Sequence, residues 1–235
     1  MLLIAHRGAS GHAPENTMAA FKLALEMGAK AVEFDVHQTR DGELVVIHDD
    51  DLKRVSKKNL TIRQLRLSEL STFDVGSWFS REFRDERVPT LAQVYDLFHG
   101  KAEFHLEIKH GSSIYPGIER NVVEFLRRRR ALKDTLISSF DHAALANVRD
   151  LDEDARLGYL LGLELMPKAW KQMKTLGVES LNCSWRQTKP NRVAHAHRQG
   201  LKVHVYTVND QKRAARLGKM GVDGIFSNFP ELKAS

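Results

Sequence analysis

Cysteine is nearly absent: Cys183 stands alone among 235 residues, so no internal disulfide can form. It lies in Leu181-Asn182-Cys183-Ser184, an apolar-flanked run where a thiol more often packs than reacts. Long apolar runs are missing too, and no stretch approaches the ~20 residues needed to cross a bilayer. Met1 to Ala5 leads straight into His6 and Arg7, with no charged region followed by an extended apolar one. These absences predict a cytoplasmic protein with no transmembrane segment. Internal repeats, low-complexity tracts and a dividing linker are also lacking. With 42% hydrophobic and 28% charged residues, the composition predicts one globular domain over 1–235 with a sizeable core.

The net charge of +6 suits an anionic partner, whether a phosphate ester, a membrane surface or a nucleic acid. The densest basic run, Arg127 to Arg130, closes a predicted helix, where cations favour the carbonyl end of the dipole, so it reads as a solvated terminus. No basic and aromatic alternation of the base-stacking kind occurs, so a nucleic-acid partner is not expected. Oligomeric state is left open.

Short β-rich runs alternate with helical patterns, as in parallel strands joined by crossover helices. Strands are predicted at Leu2–His6, Ala31–Val36, Glu103–Ile108, Thr135–Ser139, Arg156–Leu160, Val178–Asn182, Lys202–Tyr206 and Asp223–Phe226. Helices are predicted at Asn16–Met27, Thr90–His99, 114–130, 141–150, 164–176, 189–199 and 209–219. Eight strands with interleaved helices point to a (β/α)8 TIM barrel. The segment from about 50 to 88, rich in Arg, Lys and Ser, breaks the rhythm. It reads as an insertion between the second and third barrel strands, too short for a core of its own, folded over the barrel mouth.

Barrel enzymes place their chemistry at the carboxyl ends of strands. His6-Arg7-Gly8, Glu33-Phe34-Asp35 and Glu107-Ile108-Lys109 end three of them. Asp41-Gly42 reads as a two-residue hairpin, which opposes residues whose numbers sum to 83 (41 + 42) and so sets His48 against Asp35. Glu33 and Asp35 project from one face, and Glu107 on the next strand can join them. Three converging carboxylates repel one another unless a cation neutralises them, and oxygen donors favour Mg²⁺, Ca²⁺ or Mn²⁺. One divalent metal ion is therefore expected; the alternative is a structural ion-pair network in which Arg7 and Lys109 do the neutralising. His6 and His48 are the acid/base candidates, since histidine titrates near neutrality. Arg7 and Lys109 are the candidate phosphate-binding cations. Glu15, Asn16 and Tyr206 are candidates for site support, although Pro14 to Thr17 is also good helix-start chemistry. Among the other histidines, His99, His110, His142, His195 and His197 read as surface or capping residues, and His105 and His204 as fillers of a barrel layer.

These clusters together resemble the glycerophosphodiester phosphodiesterase family: His6-Arg7-Gly8, Pro14-Glu15-Asn16-Thr17, Glu33 with Asp35, His48-Asp49, and Glu107 with Lys109. The likeness continues through Val88-Pro89-Thr90-Leu91 and Tyr206-Thr207-Val208-Asn209 to Gly221-Val222-Asp223-Gly224-Ile225. It implies a barrel with an insertion, and hydrolysis of a small glycerophosphodiester to sn-glycerol 3-phosphate and an alcohol. It also implies metal held by Glu33, Asp35 and Glu107, and His6 and His48 as the catalytic pair. Two segments depart from the family pattern. Ser227-Asn228-Phe229-Pro230 stands where the family usually has Thr-Asp before a variable residue and Pro, and Arg54 to Leu60 lacks the expected glycine-containing pattern. A related lysophospholipase D or sphingomyelinase D-like barrel would use the same residues, and a non-catalytic anion- or nucleic-acid-binding module is the distant alternative.

Overall fold

The computed structural model describes residues 1–233. In chain order the elements are β1 (Leu2–His6), α1 (Met18–Glu26), β2 (Ala31–Gln38), β3 (Leu44–Val46), α2 (Lys53–Ser56), α3 (Leu67–Leu70), α4 (Leu91–Phe98), β4 (Glu103–Ile108) and α5 (Ile118–Arg128). There follow β5 (Thr135–Ser139), α6 (His142–Leu151), β6 (Arg156–Leu160), α7 (Met166–Leu176), β7 (Ser180–Ser184), α8 (Pro190–Arg198), β8 (Lys202–Tyr206), α9 (Gln211–Lys219) and β9 (Gly224–Ser227). Eight parallel strands run in the order β1-β2-β4-β5-β6-β7-β8-β9, and β9 pairs back onto β1 to close a TIM barrel. The antiparallel β3 hangs outside on β2. No helix among the described residues is long and apolar enough to cross a membrane.

Alternation decides which way each strand residue points. On β2 every residue is buried. Val32, Phe34 and Val36 join the helix-facing core, where Phe21 of α1 meets Phe34 and Phe98 edge-on at 6.3 and 5.8 Å. Burying each such side chain contributes about 1.5–3 kcal/mol. Glu33, Asp35 and His37 therefore face the interior. Helix starts follow local chemistry: the Thr17 hydroxyl accepts from the Ala20 amide, and Thr90 and Gln93 form a capping box. The first helix thus begins at Met18, two residues later than predicted, because Thr17 is its cap. Gly8, at φ +80°, lets the chain after β1 touch α1, where a Cβ would lie 2.7 Å from the Ala20 carbonyl carbon.

Two expectations need correction. The hairpin pairs Val36 with Val46 and Gln38 with Leu44, so partners sum to 82 (36 + 46) rather than 83. The loop has three residues, Arg40 to Gly42, because Thr39 pairs with Glu43 and its hydroxyl donates to Asp41 at 2.6 Å while accepting from the Glu43 amide at 3.0 Å. Gly42 takes the left-handed position at φ +86°. Asp35 consequently faces Ile47, whose amide donates to its carbonyl. His48 lies beyond the ladder and enters the site from the turn after Ile47. Secondly, the insertion has a small core after all. Val45, Ile47, Leu52, Val55, Ile62, Leu65, Leu70, Val75 and Val88 form a cluster separate from the main one, using β3 as its floor.

Candidate active site

The clusters at the carboxyl ends of β1, β2 and β4 meet because the strands are paired in register, His6 beside Glu33 and Asp35 beside Glu107. Glu33, Asp35 and Glu107 are all buried, and each offers an oxygen within 4.8 Å of the others. Glu33 and Glu107 line a cavity of about 220 Å³ together with His6, Arg7, His48 and Lys109 and the apolar Phe140, Leu160, Tyr206 and Phe226, while Asp35 is buried against Lys109 and Arg7. A larger hollow of about 760 Å³ on the flank, bounded by Asp41, Glu43, Asp85 and Glu86 among others, shares none of these residues.

The two cations do contact the acids. Lys109 Nζ lies 2.8 Å from Glu107 and 3.3 Å from Asp35, and Arg7 Nε lies 3.2 Å from Asp35. The Asn16 amide also donates to Asp35 at 2.8 Å, and the Arg7 main-chain amide donates to Glu33 at 3.0 Å. Yet three carboxylates against two cations leave one negative charge over, and it is unevenly borne. Burial disfavours ionised Asp35, but Lys109 and Arg7 together outweigh it and hold its pKa below the usual range. Burial and the neighbouring Asp35 push Glu33 well above that range. Burial, with Asp35 beside it, raises Glu107 to about 7 despite Lys109. Asp35 Oδ1 and Glu107 Oε1 are buried with no well-aligned donor, Lys109 reaching them at 3.3 and 2.8 Å. Unsatisfied hard oxygens with residual negative charge fit a divalent cation bound by Glu33, Asp35 and Glu107.

Each histidine has one ring nitrogen occupied. His6 Nδ1 lies 2.7 Å from Asn228 Oδ1, and its Nε2 lies 3.9 Å from Glu33. A carbonyl oxygen only accepts, so Nδ1 carries the hydrogen and Nε2 is left for the cavity. Burial, then Arg7, lowers His6 to about 4. His48 Nδ1 lies 2.7 Å from Asp49. Burial lowers the pKa of His48 also, with Asp35 opposing. The His48 carbonyl takes a hydrogen bond from His37 Nε2 at 3.2 Å, and His37 Nδ1 meets the Tyr115 hydroxyl at 2.7 Å.

All seven residues expected at the centre thus come together. Tyr206 lines the cavity, its hydroxyl donating to the Leu161 carbonyl. Glu15 and Asn16 stand behind it, holding Arg7 and Asp35. His37 and Asn228 were missed, although the alternation 33, 35, 37 was a usable signal for His37. The contact of Asn228 with His6 spans 222 positions and has no local trace. Cys183 is buried, and His105 and His204 fill the barrel interior, as expected.

The family model described as glycerophosphoryl diester phosphodiesterase matches residues 6–232. The chain belongs to that family. A glycerophosphodiester phosphodiesterase from Caldanaerobacter subterraneus subsp. tengcongensis is 36% identical over 232 residues, covering 98% of this chain and 95% of the relative. An Oleispira antarctica phosphodiesterase, solved in complex with the product sn-glycerol-3-phosphate, superposes with a TM-score of 0.90 at 32% identity over 98% and 94% of the two chains. A human lysophospholipase D is 24% identical over 266 residues, covering 97% of this chain and 83% of its own. Glycerophosphoryl diester phosphodiesterases are enzymes, and the barrel described above is one of theirs.

Proposed function

We propose that this chain hydrolyses glycerophosphodiesters to sn-glycerol 3-phosphate and an alcohol, using His6 and His48 as its acid/base pair and a divalent cation, Mg²⁺, Ca²⁺ or Mn²⁺, held by Glu33, Asp35 and Glu107. The observation that carries this reading is the meeting, at one cavity of a family enzyme, of two imidazoles, each with Nε2 uncommitted, and a buried cluster of three carboxylates, two of which line that cavity. One imidazole takes the proton from the attacking hydroxyl or water, and the other delivers a proton to the departing alkoxide. Each transfer is worth about 10²–10⁴-fold. Arg7 and Lys109, donors only, meet charge on the phosphoryl oxygens. A divalent cation held by Glu33, Asp35 and Glu107 would add Lewis-acid charge stabilisation there. The apolar wall of Phe140, Leu160, Tyr206 and Phe226 accommodates the carbon skeleton and excludes water from it.

A second reading, a lysophospholipid substrate, rests on the exposed apolar side chains Ile114, Leu163 and Leu165 on the loops after β4 and β6, where an acyl chain would leave the barrel. One assay separates the two. Metal-stripped protein is offered glycerophosphocholine, glycerophosphoethanolamine and lysophosphatidylcholine, with Mg²⁺, Ca²⁺ or Mn²⁺ restored, beside His6→Ala and Glu33→Ala. Metal-restored release of glycerol 3-phosphate, lost in both variants, is the expected result. Turnover of the lysolipid alone moves the assignment to the second reading, and no turnover of any diester by folded, metal-loaded protein overturns both.

A further inference from the structure

Arg54 belongs to the insertion, in the stretch that departs from the family pattern, yet its guanidinium is tied to the site at three points. Its Nε donates to Asp49 Oδ2 at 2.6 Å, while its Nη2 and Nη1 donate to Glu15 Oε1 and Oε2 at 2.7 and 3.2 Å. The other oxygen of Asp49 holds His48 Nδ1, and Glu15 Oε1 also takes Arg7 Nη1 at 2.8 Å. A continuous chain of charged hydrogen bonds therefore runs from His48 through Asp49, Arg54 and Glu15 to Arg7. The guanidinium is steadied from outside by the Trp78 ring, 5.3 Å from its centre.

The consequence lies in the orientation of Asp49. It is the residue next to His48 and is partly exposed, so its carboxylate has no enclosing wall to aim it. Arg54 occupies Oδ2 and so turns Oδ1 toward the imidazole. With Nδ1 thereby fixed as the donor, Nε2 of His48 is presented to the cavity. The planar fork of arginine serves both carboxylates at once, on its Nε and Nη edges; a lysine ammonium offers the charge without the fork.

We propose that Arg54 is a positioning residue for His48, an inserted strap that holds the imidazole through Asp49 and couples it to Arg7 through Glu15. The proposal rests on the reading of His48 as an acid/base group, and the experiment separates the two. Steady-state kinetics on glycerophosphocholine are measured for His48→Ala, Arg54→Ala, Arg54→Lys and the Arg54→Ala/His48→Ala double variant, each with its melting temperature. Arg54→Ala is expected to lower kcat about tenfold or more with KM within about threefold, and Arg54→Lys to recover little of it. In the His48→Ala background the Arg54 substitution should have no further effect, since its target is gone. A loss of the same size in both backgrounds, a change confined to KM or melting temperature, or full recovery with lysine overturns the proposal. If His48→Ala itself leaves kcat unchanged, it is the acid/base reading that falls.

Discussion

The barrel interior carries two polar layers, one at each end, and they solve burial in opposite ways. At the carboxyl end Glu33, Asp35 and Glu107 are buried as a charged cluster that Arg7 and Lys109 neutralise only in part. Toward the amino end His105 and His204 face each other across the barrel with ring centroids 5.4 Å apart, and burial keeps both neutral, His204 at about 4. Beneath them Arg156 pairs with Glu103 and Glu179 at 3.0 and 2.7 Å, and Lys202 pairs with Glu179 at 2.9 Å. Opposite charges there match two for two. The lower layer is balanced, whereas the upper one keeps repulsion that a bound cation would relieve. Such imbalance lowers stability in exchange for a binding site.

The two layers should differ most in their response to a change at Glu33. Glu33→Gln replaces the carboxyl whose ionised form the cluster most disfavours with a neutral group of the same shape, so the metal-free variant should melt no lower than the parent, while diester turnover falls about 10³-fold or more with loss of a metal donor. Calorimetric melting beside glycerol 3-phosphate release checks both halves. The lower layer gives the reverse pattern with pH. The folded pKa of His204 is depressed to about 4 from 6.5, so its contribution is fully present above pH 6.5, declines as pH falls, and is lost by about 4. The loss amounts to about 3 kcal/mol. Denaturant melts at pH 7 and 4.5 should show that slope in the parent and a flatter one in His204→Gln. Smallest is Arg156→Ala. Its ion pairs are partly exposed and screened, so about 1 kcal/mol of stability should go, with kcat within twofold of the parent.

Much of this is legible in the amino-acid sequence. Period-2 strands and capped helices identify the barrel, and the strand-end rule locates the three acidic and basic clusters, because both depend on residues close in sequence. Apart from His37, which the alternation on β2 does signal, what escaped depends on atoms rather than on pattern. The side chain of Thr39 adds a residue to the hairpin loop and shifts the register by one, so His48 reaches the cavity from a turn instead of from the ladder. Asn228 meets His6, and Arg54 meets Glu15 and Asp49, across loops with no periodicity to read. The insertion's apolar residues are spaced irregularly over short turns, which conceals the cluster they form on β3.

If the upper cluster is a cation site on which the reaction depends, metal binding and turnover must rise and fall together. Metal-stripped parent and Glu33→Gln are titrated with Mg²⁺, Ca²⁺ or Mn²⁺ while melting temperature and glycerol 3-phosphate release from glycerophosphocholine are followed together. The account predicts that in the parent both rise over the same concentration range with at least one of the three ions, and that neither rises in the variant at those concentrations. Full turnover by the stripped parent, or a variant that titrates like the parent, would contradict it.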